Sequence, residues 1–219
     1  MGRGTPQGAP ISPLLSNLYM RRFILGWKVL GHEKRLQAEI VNYADDFVVC
    51  CRRNAEEAMD AMCSIMQKLK LTVNEEKTHI CRLPDESFDF LGYTFGRHYS
   101  RRTGWRQITQ RPSKKKIQAV CRRISEMTSS RWNQRDVQEQ VALLNRVMVG
   151  WANYFCQGPV GKPYRTVTRH ACRRLRKWLR QKHKLQGQGI SRYPDDHLHD
   201  ELGLVRLLLG KRNVPWANA

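Results

Sequence analysis

The whole charge excess of this chain sits in one central block, and that block restricts what the chain can fold into. Residues 97–186 hold 23 basic and 3 acidic side chains. Residues 1–96 carry 12 of each sign, and residues 187–219 carry 4 of each. A segment with net charge +20 repels itself, so it must spread its cations over an exposed face and find a polyanion to meet them. Nucleic acid is the expected partner. The hydrophobic fraction of 41% is still enough for one good core or two small ones in 219 residues.

The apolar period changes along the chain. Early residues read as short strands and one or two helices. Residues 1–11 are rich in Gly and Pro and read as a loop. Ser12 is placed to cap a helix that opens on Pro13 and runs to about Leu30, with Leu14, Leu18, Phe23 and Leu25 as its apolar mass. Ala38–Tyr43 and Phe47–Cys51 read as two strands joined so tightly that only a hairpin fits. Asn54 caps the next helix, with Glu57 in the position of a capping box and Ala58, Met62 and Met66 on the buried stripe. Leu71-Thr72-Val73 reads as extended. Phe88–Phe95 alternates around Gly92 and predicts a strand pair, and Arg101–Trp105 predicts a turn.

From residue 113 the spacing is helical. Ile117, Val120, Ile124 and Met127 mark one apolar stripe. Val137, Val141, Leu144 and Met148 mark a second, over about 136–156. Val167, Ala171, Leu175 and Trp178 mark a third, over about 164–184. Strands first and helices later is an α+β organisation followed by a helical one. The expected division is 1–96, 97–186 and a tail at 187–219.

Cysteines 50, 51, 63, 81, 121, 156 and 172 form no Cys-x-x-Cys pair, and the His-x-Cys pairs at 79/81 and 170/172 are isolated. Neither a disulfide frame nor a structural zinc site is expected. The chain has no run of 18 apolar residues and no secretory start, so no membrane span is expected and reduced thiols in a cytoplasm are the simplest reading.

The chemistry concentrates in Tyr43-Ala44-Asp45-Asp46. Two neighbouring carboxylates at a strand junction repel each other and disfavour the strand. A hard divalent cation removes that repulsion, and Mg²⁺ takes one or two carboxylates together with phosphate oxygens. Alone, the four residues also fit an ordinary Asp-rich turn.

The neighbours decide between these readings. Upstream stands Pro6-Gln7-Gly8-Ala9-Pro10-Ile11-Ser12-Pro13-Leu14-Leu15, and downstream stand Glu76-Lys77 and Phe90-Leu91-Gly92. In that order the four blocks resemble the palm of a reverse transcriptase. Leu144-Asn145-Arg146 through Gly150-Trp151-Ala152-Asn153-Tyr154-Phe155 is similar to the maturase domain of bacterial group II intron-encoded proteins.

The resemblance implies an α+β fold: a truncated reverse-transcriptase palm, built as a small antiparallel sheet with helices, followed by an all-α thumb/maturase region. It implies Asp45 and Asp46 as catalytic, Mg²⁺-binding aspartates. It places Gln7, Gly8, Tyr43 and Ala44 near nucleotide or primer, and makes Lys77 a candidate proton donor to the pyrophosphate. Its partners would be group II intron RNA, an RNA template with a DNA primer, and a dNTP. The RNA-facing candidates are Lys114, Lys115, Lys116, Arg122 and Arg123, then Arg169, Arg173, Arg174, Arg176, Lys177 and Arg180.

Such enzymes carry a further metal-binding aspartate upstream of the Pro-Gln-Gly block. The expectation is therefore an incomplete polymerase that is inactive alone, with a missing N-terminal half or a homodimer to complete it, and no endonuclease. An RNA-binding splicing maturase with a non-catalytic palm is the alternative.

Overall fold

The computed structural model describes residues 9–99, 104–187 and 189–207. The chain packs as two units that part between Cys81 and Arg82.

In the first unit, α1 (Ser12–Val29) starts with a proline in its first turn. Ser12 is itself helical and Ile11 stands at the cap position without a side-chain bond, so the expected serine cap is not formed. A proline there needs no cap for its missing N–H. The buried face of α1 is Met20, Phe23 and Trp27, whereas Leu14, Leu18 and Leu25 are exposed. Of the four apolar residues expected to pack, only Phe23 does so fully. A one-turn helix, α2 (His32–Leu36), follows Gly31, whose φ of +73° turns the chain sharply. Trp27 Nε1 donates to the Ala38 carbonyl at 3.0 Å and ties α1 to the first strand.

Strands β1 (Ala38–Tyr43) and β2 (Asp46–Cys51) pair antiparallel, from Ala38 opposite Cys51 to Tyr43 opposite Asp46. Phe47, Val49 and Cys51 pack toward the cluster formed by Phe23, Trp27 and α3 (Ala55–Lys68). Asn54 accepts from the Glu57 amide at 3.1 Å, as a cap residue does. The Glu57 carboxylate turns instead to Arg35 of α2. Leu71 and Val73 lean on the same cluster, but no strand forms there among the described residues.

The second unit opens with a three-stranded antiparallel meander: β3 (Phe88–Phe90), β4 (Tyr93–Tyr99) and β5 (Arg106–Pro112). Leu91 and Gly92, at φ +50° and +82°, form the two-residue turn between β3 and β4. That pairing of positive φ values suits the right-handed twist of a hairpin. The strand β5 has no counterpart in the sequence reading. Arg106-Gln107-Ile108-Thr109-Gln110-Arg111 has one apolar residue, and the strand lies at the sheet edge, so no hydrophobic alternation marks it.

Three helices complete this unit: α4 (Lys114–Met127), α5 (Val137–Tyr154) and α6 (Gly161–Lys182). Ser113 caps α4, and Asp136 caps α5 by accepting from the amides of Gln138 at 2.8 Å and Glu139 at 3.2 Å. Between α4 and α5 lies a short helical turn at Ser130–Trp132. The core joins Ile124, Leu144, Met148, Val167, Leu175 and Trp178. Trp178 is fully buried, while Trp151 is partly buried against Phe155 and Tyr164. The tail adds Leu198, Leu204 and Leu207 to the core, with one wide helical turn at His197–Glu201. Asn145 holds that tail by donating to Gly203 O and accepting from Val205 N, both at 2.8 Å.

The meander belongs to the helices by its hydrogen bonds. Ser113 N donates to Gly92 O at 2.9 Å, Tyr93 Oη to Tyr154 O at 2.6 Å, and Tyr154 Oη to Leu91 O at 3.0 Å. The packing boundary at 81/82 therefore precedes the change of charge at 97, because surface charge does not report which buried groups hold an element.

Candidate functional site

The turn between β1 and β2 consists of Ala44 and Asp45. Ala44 takes φ +54°, the left-handed region a primed two-residue turn needs at its first position. A side chain there costs about 1–2 kcal/mol. Asn42 Nδ2 donates to the Ala44 carbonyl at 2.9 Å and braces the turn from within β1. Tyr43 is 64% exposed, and Ala44, Asp45 and Asp46 are exposed beside it.

Tyr43 and Asp46 face each other in the ladder, so their side chains share the outer face with Val41 and Val48. Among the described residues no arginine or lysine pairs with Asp45 or Asp46. Two uncompensated carboxylates at an open tip fit the oxygen-rich, partly hydrated shell of Mg²⁺. Among the described residues no third His, Cys, Asp or Glu converges on them.

Lys77 lies in the turn after α3, exposed, its amide held by the Asn74 side chain at 3.2 Å. Gln7 and Gly8 lie outside the described residues.

The structure divides the predicted RNA-facing cations into two sets. Lys114, Lys115, Lys116, Arg122 and Arg123 on α4, and Arg169, Arg173 and Lys177 on α6, are exposed. Arg123 leans toward Glu126 at 3.8 Å. The other three, Arg174, Arg176 and Arg180, are half-buried and donate hydrogen bonds to other groups of the fold.

Arg174 donates from Nη2 to Ser125 O at 2.9 Å and Thr128 O at 3.1 Å, and from Nε to Thr128 Oγ1 at 3.0 Å. It thereby satisfies carbonyls at the C-terminal end of α4, where a cation also meets the helix dipole. Arg176 donates to Tyr193 O at 2.7 Å and pairs with Asp195, and Arg180 donates to Gly187 O at 2.6 Å. Lys182 likewise holds the α4–α5 connection through Asn133 O at 2.9 Å and Arg135 O at 2.8 Å.

Sequence reasoning passed over Arg165. It is exposed and stands four residues before Arg169, so Arg165, Arg169, Arg173 and Lys177 follow one ridge of α6 at helical i, i+4 spacing. That spacing was readable in the sequence. His170 sits between this ridge and α4, its Nε2 2.9 Å from Ser125 Oγ. Burial, and then the nearby Arg173 charge, lower its pKa, so it adds no cation to the ridge at neutral pH.

Residues 1–95 match the family of reverse transcriptases (RNA-dependent DNA polymerases), and residues 117–193 match the maturase-specific domain of group II introns. The chain belongs to the group II intron reverse transcriptase/maturase family. The hairpin carboxylates lie in the reverse-transcriptase segment, and the α6 ridge lies in the maturase segment. A viral relative, Protein P of duck hepatitis B virus (strain Germany/DHBV-3), is 29% identical over 112 residues, which is 48% of this chain and 13% of that protein. The chain therefore spans a small part of the length of that relative. No helix among the described residues is long and apolar enough to cross a membrane.

Proposed function

We infer that this chain supplies the palm and maturase parts of a group II intron RNA-directed DNA polymerase that also binds its intron RNA for splicing. The observation that carries the reading is the exposed Asp45–Asp46 hairpin, without an ion-pair partner among the described residues, encoded in one chain with a helical unit whose outer face is strongly basic.

In the reaction, a primer 3′-hydroxyl attacks the α-phosphorus of a dNTP directed by an RNA template, and pyrophosphate leaves. Asp45 and Asp46 would hold Mg²⁺, which would supply charge neutralisation for this phosphoryl transfer. Asp45 and Asp46 are the ligands this chain contributes. The braced turn fixes Asp45 relative to Asp46. Tyr43, exposed and on the same face as Asp46, supports the primer end or incoming nucleotide, and Ala44, Gln7 and Gly8 share that nucleotide-binding role. Lys77 is the proposed proton donor to pyrophosphate. The cations of α4 and the α6 ridge hold the phosphates of intron RNA.

A second reading is favoured by one observation: no third His, Cys, Asp or Glu joins Asp45 and Asp46 among the described residues. On that reading the palm is a scaffold and the protein is a splicing maturase. Introduced into the complete enzyme, the double variant Asp45→Asn/Asp46→Asn separates the two. Loss of Mg²⁺-dependent cDNA synthesis with intron binding and splicing intact establishes the polymerase reading. With no third His, Cys, Asp or Glu beside Asp45 and Asp46 among the described residues, the chain by itself is expected to extend no primer. Template-dependent extension by that chain, sensitive to Asp45→Asn, would overturn the expectation.

A further inference from the structure

The connection between α4 and α5 carries two arginines against one indole. Arg131 and Trp132 lie in the short helical turn Ser130–Trp132, and Arg135 immediately precedes Asp136, the cap of α5. The guanidinium carbon of Arg135 stands 3.8 Å from the Trp132 ring centroid, and that of Arg131 stands 5.1 Å from it. Arg131 is exposed, whereas Trp132 and Arg135 are half-buried.

Two like charges on one ring repel each other, and no carboxylate offsets them. Neither arginine forms an ion pair among the described residues. Arg135 Nη1 makes one long bond, to Gln140 Oε1 at 3.4 Å. The adjoining Asp136 gives Oδ2 to the amides of Gln138 and Glu139 instead.

The backbone beneath the pair is fixed. Trp132 N donates to Ser129 O at 3.0 Å, Asn133 N to Ser130 O at 3.1 Å, and Arg135 N to Trp132 O at 3.1 Å. Lys182 Nζ donates to Asn133 O at 2.9 Å and Arg135 O at 2.8 Å, which pins the turn to the end of α6 and adds a third positive charge. Groups held this way lose little freedom when a ligand arrives.

The stacking narrows the ligand. A guanidinium resting on an aromatic face keeps its N–H edge free, and that edge matches two oxygens of a phosphate. Arg135 already covers the indole, so the ring serves as a platform for cations rather than for a base. The turn therefore suits a phosphate.

We propose that Arg131 and Arg135, held on Trp132, form a phosphate-binding site for the RNA backbone on the α4–α5 turn. The proposal rests on the reading of the chain as an RNA-binding maturase. It adds a contact outside the exposed cations of α4 and α6, made by oriented guanidinium edges and not by charge alone.

The test titrates the whole 219-residue chain with a fluorescent blunt RNA duplex of about twenty base pairs over a range of salt. Arg131→Ala/Arg135→Ala should weaken binding by roughly ten-fold and make the salt slope shallower by about two. Arg131→Ala alone removes an exposed side chain. It should melt within a degree or two of the parent and make the slope shallower by about one. Arg131→Lys/Arg135→Lys keeps both charges without the planar edge. It should keep the parent slope yet bind roughly three- to ten-fold more weakly.

Parent-like binding by the double alanine variant overturns the proposal. So does parent-like affinity of the double lysine variant, because charge alone would then suffice. If the double alanine variant melts early and Arg131→Ala leaves the slope unchanged, the pair serves only the fold and the proposal is wrong. If the parent chain does not bind the duplex, the RNA reading itself fails. If Arg165→Ala/Arg169→Ala/Arg173→Ala weakens binding and Arg131→Ala/Arg135→Ala does not, that reading stands and only this site fails.

Discussion

Adjacent arginines on α6 do opposite jobs. Arg173 is exposed on the ridge, whereas Arg174 spends three donated hydrogen bonds on the end of α4. Burial lowers the Arg174 pKa, yet a guanidinium stays ionised, so its bonds are charge-assisted. Removing it takes the Nη2 donor from Thr128 O and leaves Ser125 O to the Thr128 hydroxyl at 3.3 Å. Arg174→Ala should therefore destabilise the protein by about 2–4 kcal/mol in urea unfolding. Arg173→Ala should change stability by no more than about 0.5 kcal/mol and weaken RNA binding instead. Equal stability of the two variants would contradict the assignment. From the sequence, both read as equivalent members of one basic run, because helical spacing gives a direction around the axis but not the carbonyl waiting there.

At the scale of elements, the loop between α5 and α6 is held against β5 by a contact only glycine permits. A Cβ at Gly158 would lie 1.8 Å from Gln110 O, and the residue already sits at φ +76°. Backbone cannot yield as a flexible side chain can. Gly158→Ala should lower stability by roughly 3–5 kcal/mol, seen as a large fall in melting temperature by circular dichroism. A melt within a degree or two of the parent would show that the loop does not pack on β5. The Gly158-Pro159 pair announced a loop in the sequence. Its contact with β5 was not legible, since β5 itself carries no apolar alternation. The hairpin at Tyr43–Asp46 was legible, because β-branched runs on both sides left room for nothing else. The burial of α1 was misjudged: a mixed apolar surface does not say which side meets the sheet, and Met20, Phe23 and Trp27 do so in place of the leucines.

For the whole molecule, a net charge of +20 overstates the cationic surface left free of the fold. Arg174, Arg176, Arg180 and Lys182 are committed to backbone carbonyls. The exposed cations of α4 and α6 remain. If about five of them neutralise phosphates, the logarithm of affinity should fall against the logarithm of salt with a slope of about −3.5 to −4.5. Combining Arg165→Ala, Arg169→Ala and Arg173→Ala should make the slope shallower by about two to three. A salt-independent affinity would refute the ridge as a phosphate surface.

By itself the sequence determined the long helices, the hairpin with its paired carboxylates and the family, since these depend on local period, turn chemistry and residue order. Tertiary structure alone decided which cations are spent on the fold and that the Phe90–Tyr93 turn joins the helical unit. Those outcomes depend on groups brought together across long stretches of chain, and no local pattern records a partner that only folding supplies.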